Sequence, residues 1–298
     1  MNTMNLRTDF WTRSPSVPRA PWMAIVVVLW GPTCGLAPVG QCWQAPVEGS
    51  RKAPVAAGTL FGFTPFPYDL TLEALTKTHH IVTENSTIYA LHYDDGIPWK
   101  EALADTPFPP RVQKSWDDQA RSIPRGHRIY LGLAPLDKDR TSLAPAKGEQ
   151  DGAATPRELR QAPLDDALVK QAYLNYARRA VKQFKPDFLN LGIEAGGVLM
   201  RDSARWAQFA GLYDYVRSSL KEEFPDLQIG ISFSLGHLRV ETNAQAAQPL
   251  IAKSDYVGLS FYPSASPFDE KYGLPPYGSG VDAWRKPLAW VRAYGSFQ

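Results

Sequence analysis

The chain has 298 residues, 44% of them hydrophobic and 21% charged, with a net charge of +2. This is room for one large α/β domain or two small ones, and so neutral a balance gives nucleic acid no electrostatic hold. Cys34 and Cys42, both near the N-terminus, are the two cysteines, which excludes a disulfide framework or cysteine metal site in the body of the protein.

The N-terminus carries Arg7, Arg13 and Arg19, then an apolar run from Trp22 to Trp30, then Gly, Pro and Ala. That order is the pattern of a secretory signal peptide, and the run is too short to span a bilayer comfortably. The expectation is an exported protein: periplasmic, extracellular, or a lipoprotein at the cell surface. Lipid attachment would use Cys34 or Cys42, although Thr33 and Gln41 are poor residues to precede a lipidated cysteine. Residues 1–55 read as leader plus a Pro/Ala-rich linker, and residues 56–298 as one domain.

From there short apolar segments alternate with longer amphipathic ones, the signature of parallel β/α units. Strands are expected over Thr59–Thr64, Thr87–Tyr93, His127–Leu133, Phe188–Glu194, Gln228–Ser234 and Tyr256–Tyr262. Helices are expected over Leu70–His80, Pro110–Arg121, Pro163–Gln183, Arg201–Phe224, Asn243–Ala252 and Gly280–Tyr294. Each strand has a small residue in its middle: Gly62, Ala90, Gly132, Gly192, Gly230 or Ser232, and Gly258 or Ser260. Inward positions of a closed barrel are sterically limited, whereas a flat doubly wound sheet carries large aliphatics on both faces. The fold class is therefore α/β, a (β/α)8 TIM barrel. It is incomplete, because the pattern supplies about six of eight β/α units and a seventh strand would begin beyond Gln298. An unclosed six-unit fragment is expected to be inactive. The charged, Pro-rich stretch Pro135–Pro163 follows the third strand and is expected on the active face as a loop or lid.

In a parallel barrel the strand C-termini meet at one mouth. Here that brings together His92, Asp94, Asp95 and Trp99 after strand two, Asn190 and Glu194 on strand four, His237 after strand five, and Tyr262 ending strand six. By alternation Asn190, Gly192 and Glu194 share one face, and Leu189, Leu191 and Ile193 the other. Acidic groups flanked by aromatics suit a sugar, whose hydroxyls take hydrogen bonds and whose ring faces stack. Glycoside hydrolysis needs two carboxylates. No two of His92, His237, Asp94 and Glu194 have the helical spacing of a metal-ligand pair, and no phosphate-binding glycine loop or nucleophile elbow occurs. No metal and no cofactor are expected, and a monomer is.

At these residues the sequence resembles clan A glycoside hydrolases, most nearly the family 53 endo-β-1,4-galactanases. His92-Tyr93-Asp94-Asp95 with Trp99 is similar to that family's His-Tyr-Ser-Asp-x-Trp stretch after strand two. Leu191-Gly192-Ile193-Glu194 resembles its Gly-Asn-Glu end of strand four, and Asp255–Pro263 its sixth strand, Asp-x-Ile-Gly-x-Ser-Tyr-Tyr-Pro. The resemblance implies Glu194 as general acid/base of a retaining mechanism, Tyr262 near the nucleophile, and a nucleophilic Glu ending strand seven. Ile193 stands where the clan has Asn, which marks a divergent relative. The expected substrate is a β-linked poly- or oligosaccharide. The alternative is a surface protein that binds carbohydrate on the same fold without catalysis.

Overall fold

The computed structural model describes residues 60–150, 152–238 and 240–260. The leader, Cys34, Cys42, Tyr262 and the helix expected over Gly280–Tyr294 lie outside the described residues.

Six strands form one parallel sheet in the order of the sequence: β1 (Gly62–Phe63), β2 (Ile88–Tyr93), β3 (Arg128–Leu133), β4 (Phe188–Asn190), β5 (Gln228–Ser234) and β6 (Tyr256–Ser260). Every crossover contains helix: α1 (Leu72–Asn85), then α2 (Trp99–Ala104) and α3 (Pro110–Ser122), α4 (Ala167–Phe184), α5 (Ser203–Glu223), and last α6 (Leu235–Leu238) and α7 (Glu241–Lys253). Sequential strand order with a helix in each connection is the winding of a barrel, because a doubly wound sheet reverses direction midway. The sheet is curled. Tyr130 on β3 and Tyr256 on β6 meet with ring centroids 6.4 Å apart, whereas three strand spacings on a flat sheet would separate their backbones by roughly 14 Å. The architecture is an incomplete TIM barrel, as the alternation of segments predicted.

Register sorts the side chains into two faces. Gly62, Ile88, Ala90, His92, Tyr130, Gly132, Phe188, Asn190, Gly230, Ser232, Tyr256, Gly258 and Ser260 occupy partnered positions on the inner face. Tyr89, Leu91, Leu131, Leu133, Leu189, Ile229, Ile231 and Phe233 are buried on the outer face beneath the helices. The inner face has no room to spare: a Cβ on Gly230 would lie 2.4 Å from the Tyr256 carbonyl oxygen and 2.7 Å from its ring. Between β2, α3 and α4 the core is aromatic, with Trp116 against Tyr93, Phe108, Tyr176 and Phe184 at 5.2–5.7 Å.

Three of the helices begin where a side chain caps them. Thr71 accepts from Ala74 N–H, Asp166 from Leu168 N–H, and Asp202 from Ala204 and Arg205 N–H. These caps place the starts of α1, α4 and α5 two to four residues later than apolar periodicity suggested, at Leu72, Ala167 and Ser203. The strand starts have a matching device. Asp187, just before β4, accepts Ile129 N–H at 2.8 Å and pairs with Arg128. Asp255, just before β6, accepts Ile229 N–H at 2.9 Å and pairs with Arg217 at 2.6 Å.

The Pro135–Pro163 stretch is a packed loop. It buries Leu136, Ala144 and Leu159 and is tied to the β2–α2 loop. Ile97 N–H donates to the Pro145 carbonyl at 2.9 Å, and Lys147 N–H to the Ile97 carbonyl, also at 2.9 Å. Gly96 permits this approach: its φ is +121°, and a Cβ there would lie 2.7 Å from the Pro145 oxygen.

Candidate active site

At the C-terminal end of the sheet the inner face opens into a small cleft lined by Thr64, Ala90, His92, Tyr130, Ile193, Glu194, Ser232, Gly258, Leu259 and Ser260. Glu194 is the one carboxylate of this lining. It is half-buried, and it does not continue the strand, whereas the alternation over Phe188–Glu194 predicted that it would. β4 ends at Asn190, and the chain then turns, with Asn190 Oδ1 accepting Gly192 N–H at 3.0 Å. The turn changes the parity. Gly192 faces the helix layer, where a Cβ would meet Phe209 at 2.9 Å, and Ile193 enters the barrel against Gly132. Glu194 follows in the left-handed region, at φ +49°, an uncommon conformation for a residue with a side chain.

Asn190 explains the early stop. It is wholly buried, and its amide donates to Tyr130 Oη and to Ser232 Oγ, each at 2.8 Å. Ser232 Oγ also accepts Glu194 N–H at 3.0 Å and lies 3.4 Å from the Gly192 carbonyl, to which it donates. Two lone pairs and one proton of the hydroxyl are thereby engaged. Burial pushes the Tyr130 phenol up to about 12, with the Glu194 charge adding to the rise and hydrogen bonds from Asn190 and Ser232 opposing it. Tyr130 and Ser232 are the residues the strand pattern did not single out as part of the site. The available signal was their parity, since each falls two residues from an inward glycine, Gly132 and Gly230.

His92 lines the cleft, with its Nε2 3.4 Å from Asp94 Oδ2. That hydrogen bond holds the Asp94 carboxyl below its ordinary 3.8; burial opposes the shift, and the charges of His92, Arg140 and Lys138 add to it. Lys138 and Arg140 belong to the packed loop, so the loop contributes positive charge to this side of the mouth.

The remaining predicted site residues separate from the cleft. Asp95 is exposed and paired with Lys147 at 2.5 Å. Trp99 is fully buried, with its indole N–H on the Ala144 carbonyl at 2.7 Å. It anchors the loop and presents no ring face to a ligand. Asn190, expected to contact substrate, is enclosed and committed to protein partners. His237 lies on α6 with its ring pressed on Gly197, where a Cβ would be 2.6 Å from Cε1. It therefore braces the β4–α5 loop outside the cleft lining. Tyr262 lies outside the described residues. Among the described residues, no three His, Cys, Asp or Glu side chains group as metal ligands, and no helix is long and apolar enough to cross a membrane.

No family model matches the chain. No curated protein matches it. Among solved structures it is similar to the GH53 catalytic domain of Ignisphaera aggregans, at 18% identity and a TM-score of 0.37. That match covers 59% of this chain and 48% of the other, about half the neighbour's length.

Proposed function

We propose that this protein is an exported glycoside hydrolase acting on a β-linked poly- or oligosaccharide, with Glu194 as general acid/base. The observation that carries this reading is the placement of Glu194. It is the single carboxylate lining a half-buried cleft at the C-terminal mouth of the barrel, the end where barrel enzymes hold their reacting groups, and its backbone is fixed from beneath by Ser232.

In this mechanism Glu194 protonates the departing glycosidic oxygen, and a second carboxylate, supplied from outside the described residues, attacks the anomeric carbon. Glu194 then takes a proton from the water that releases the sugar. Retention of configuration requires the two carboxyl groups about 5–5.5 Å apart. His92, oriented by Asp94, is the cleft group suited to hydrogen-bond a sugar hydroxyl. The test is hydrolysis of aryl β-glycosides and β-linked polysaccharides by the full-length enzyme and by its Glu194→Gln variant. The variant is expected to lose at least about a hundredfold in kcat; unchanged turnover sinks the assignment.

One observation favours a second reading. Among the described residues the cleft lining holds one carboxylate where hydrolysis needs two. On that reading the protein binds carbohydrate without cleaving it, and calorimetry would record sugar binding with no turnover in the wild type.

A further inference from the structure

We propose that Phe66 is the stacking platform for a pyranose ring of a neutral β-linked oligosaccharide whose next unit lies at Glu194. The inference rests on the carbohydrate reading of the cleft. It assigns the aromatic contact that Trp99, buried in the core, does not make.

Phe66 sits in the loop after β1, on the C-terminal side of the sheet, two residues beyond Thr64 of the cleft lining. Its backbone N–H donates to the Thr64 carbonyl at 2.8 Å, which sets the ring at the rim. The ring stands edge-to-face with the His92 imidazole, centroids 6.1 Å apart and planes at 78°. His92 also lines the cleft, so the two rings form one continuous wall. Phe66 is nevertheless 57% exposed. Other exposed aromatics nearby lack that combination: Phe61 precedes β1 and packs on Phe63 at 4.9 Å, and Tyr68 lies under the Lys77 ammonium at 6.0 Å. An exposed ring face joined to a polar cleft matches a pyranose. Its C–H face covers apolar surface, while its hydroxyls reach hydrogen-bonding groups such as His92 and Glu194. Because Phe66 is a rim residue, its truncation leaves the core intact.

The test is calorimetric binding of cellotetraose, β-1,4-galactotetraose, β-1,4-mannotetraose and β-1,4-xylotetraose to the full chain. Wild type, Phe66→Ala, Phe66→Trp and Glu194→Gln are compared, with melting curves for each. The expected result is binding of at least one tetrasaccharide, about tenfold weaker in Phe66→Ala (equivalent to about 1.4 kcal/mol) and restored in Phe66→Trp. Equal affinity of wild type and Phe66→Ala overturns the platform. A lowered melting temperature alongside equal affinity would assign Phe66 to packing instead. Absence of binding by the wild type to all four probes overturns both the platform and the carbohydrate reading. Glu194→Gln that binds and still hydrolyses would overturn the acid/base assignment alone and leave Phe66 standing.

Discussion

The left-handed backbone at Glu194 costs about 1–3 kcal/mol for a residue with a Cβ, so something must hold it. The hydroxyl of Ser232 does so, since it accepts Glu194 N–H and one N–H of Asn190 in the same buried spot. Ser232→Ala leaves both donors without that acceptor. We expect it to lower unfolding stability by about 1–3 kcal/mol in urea titration and to reduce turnover more than Phe66→Ala does, because it frees the backbone that aims the carboxylate. A change below about 0.5 kcal/mol would mean that water replaces the hydroxyl. That Glu194 and His92 line the cleft was legible from strand ends alone. Asn190 and Trp99 were legible only as residues near the mouth. Whether an amide or an indole faces ligand or core depends on partners remote in sequence, Tyr130 and Ser232 for the first and Ala144 for the second.

At the scale of elements, the asparates before β4 and β6 do equivalent work. Each of these aspartates closes the start of its own strand onto the amide of the neighbouring strand's second residue and draws an arginine across. For Asp255, burial raises the pKa, but Ile229 N–H, Lys221 and Arg217 outweigh it and leave the carboxyl below 3.8. The sign follows from linkage: the folded state holds the proton more weakly than the unfolded state. The stabilisation is therefore fully present above the ordinary carboxylate value and is lost as pH falls through the folded one. We expect Asp255→Asn to lower the urea midpoint clearly near about pH 6, and the gap from wild type to narrow near about pH 3. A gap that is the same at both pH values would show that the carboxylate charge contributes nothing. Element existence was legible for all six strands and five described helices. The starts of α1, α4 and α5 were displaced because a cap, not the first apolar residue, nucleates a helix. The short α2 and α6 escaped because one turn or so carries no readable period.

At the scale of the whole molecule, the small inner residues set how tightly the sheet curls. Gly230 lies beneath the Tyr256 ring, and a methyl group there has to displace backbone. Gly230→Ala is therefore expected to destabilise by about 1–3 kcal/mol, read as a lower Tm, despite being the smallest substitution available. An unchanged Tm would show that the barrel opens without cost at that point. The loop Pro135–Pro163 belongs to the same scale. It was expected over the mouth as a loop or lid, and it is a packed wall, because its own Leu136, Ala144 and Leu159 are buried and Trp99 reaches into it.

The sequence by itself determined the barrel class, since alternation of strand and helix and a small residue in mid-strand follow from local sterics and periodicity that need no partner. It also determined that the strand-four segment delivers a glutamate to the mouth. The tertiary structure decided which face each residue of that segment takes. The buried Asn190 side chain finds Tyr130 and Ser232 on the flanking strands and the Gly192 amide just beyond it; backbone hydrogen bonds to β5 continue, but the chain turns so that Gly192 faces the helices while Ile193 and Glu194 both face the cleft. Alternation is a property of one strand, whereas the end of a strand is set by what its neighbours offer to hydrogen-bond.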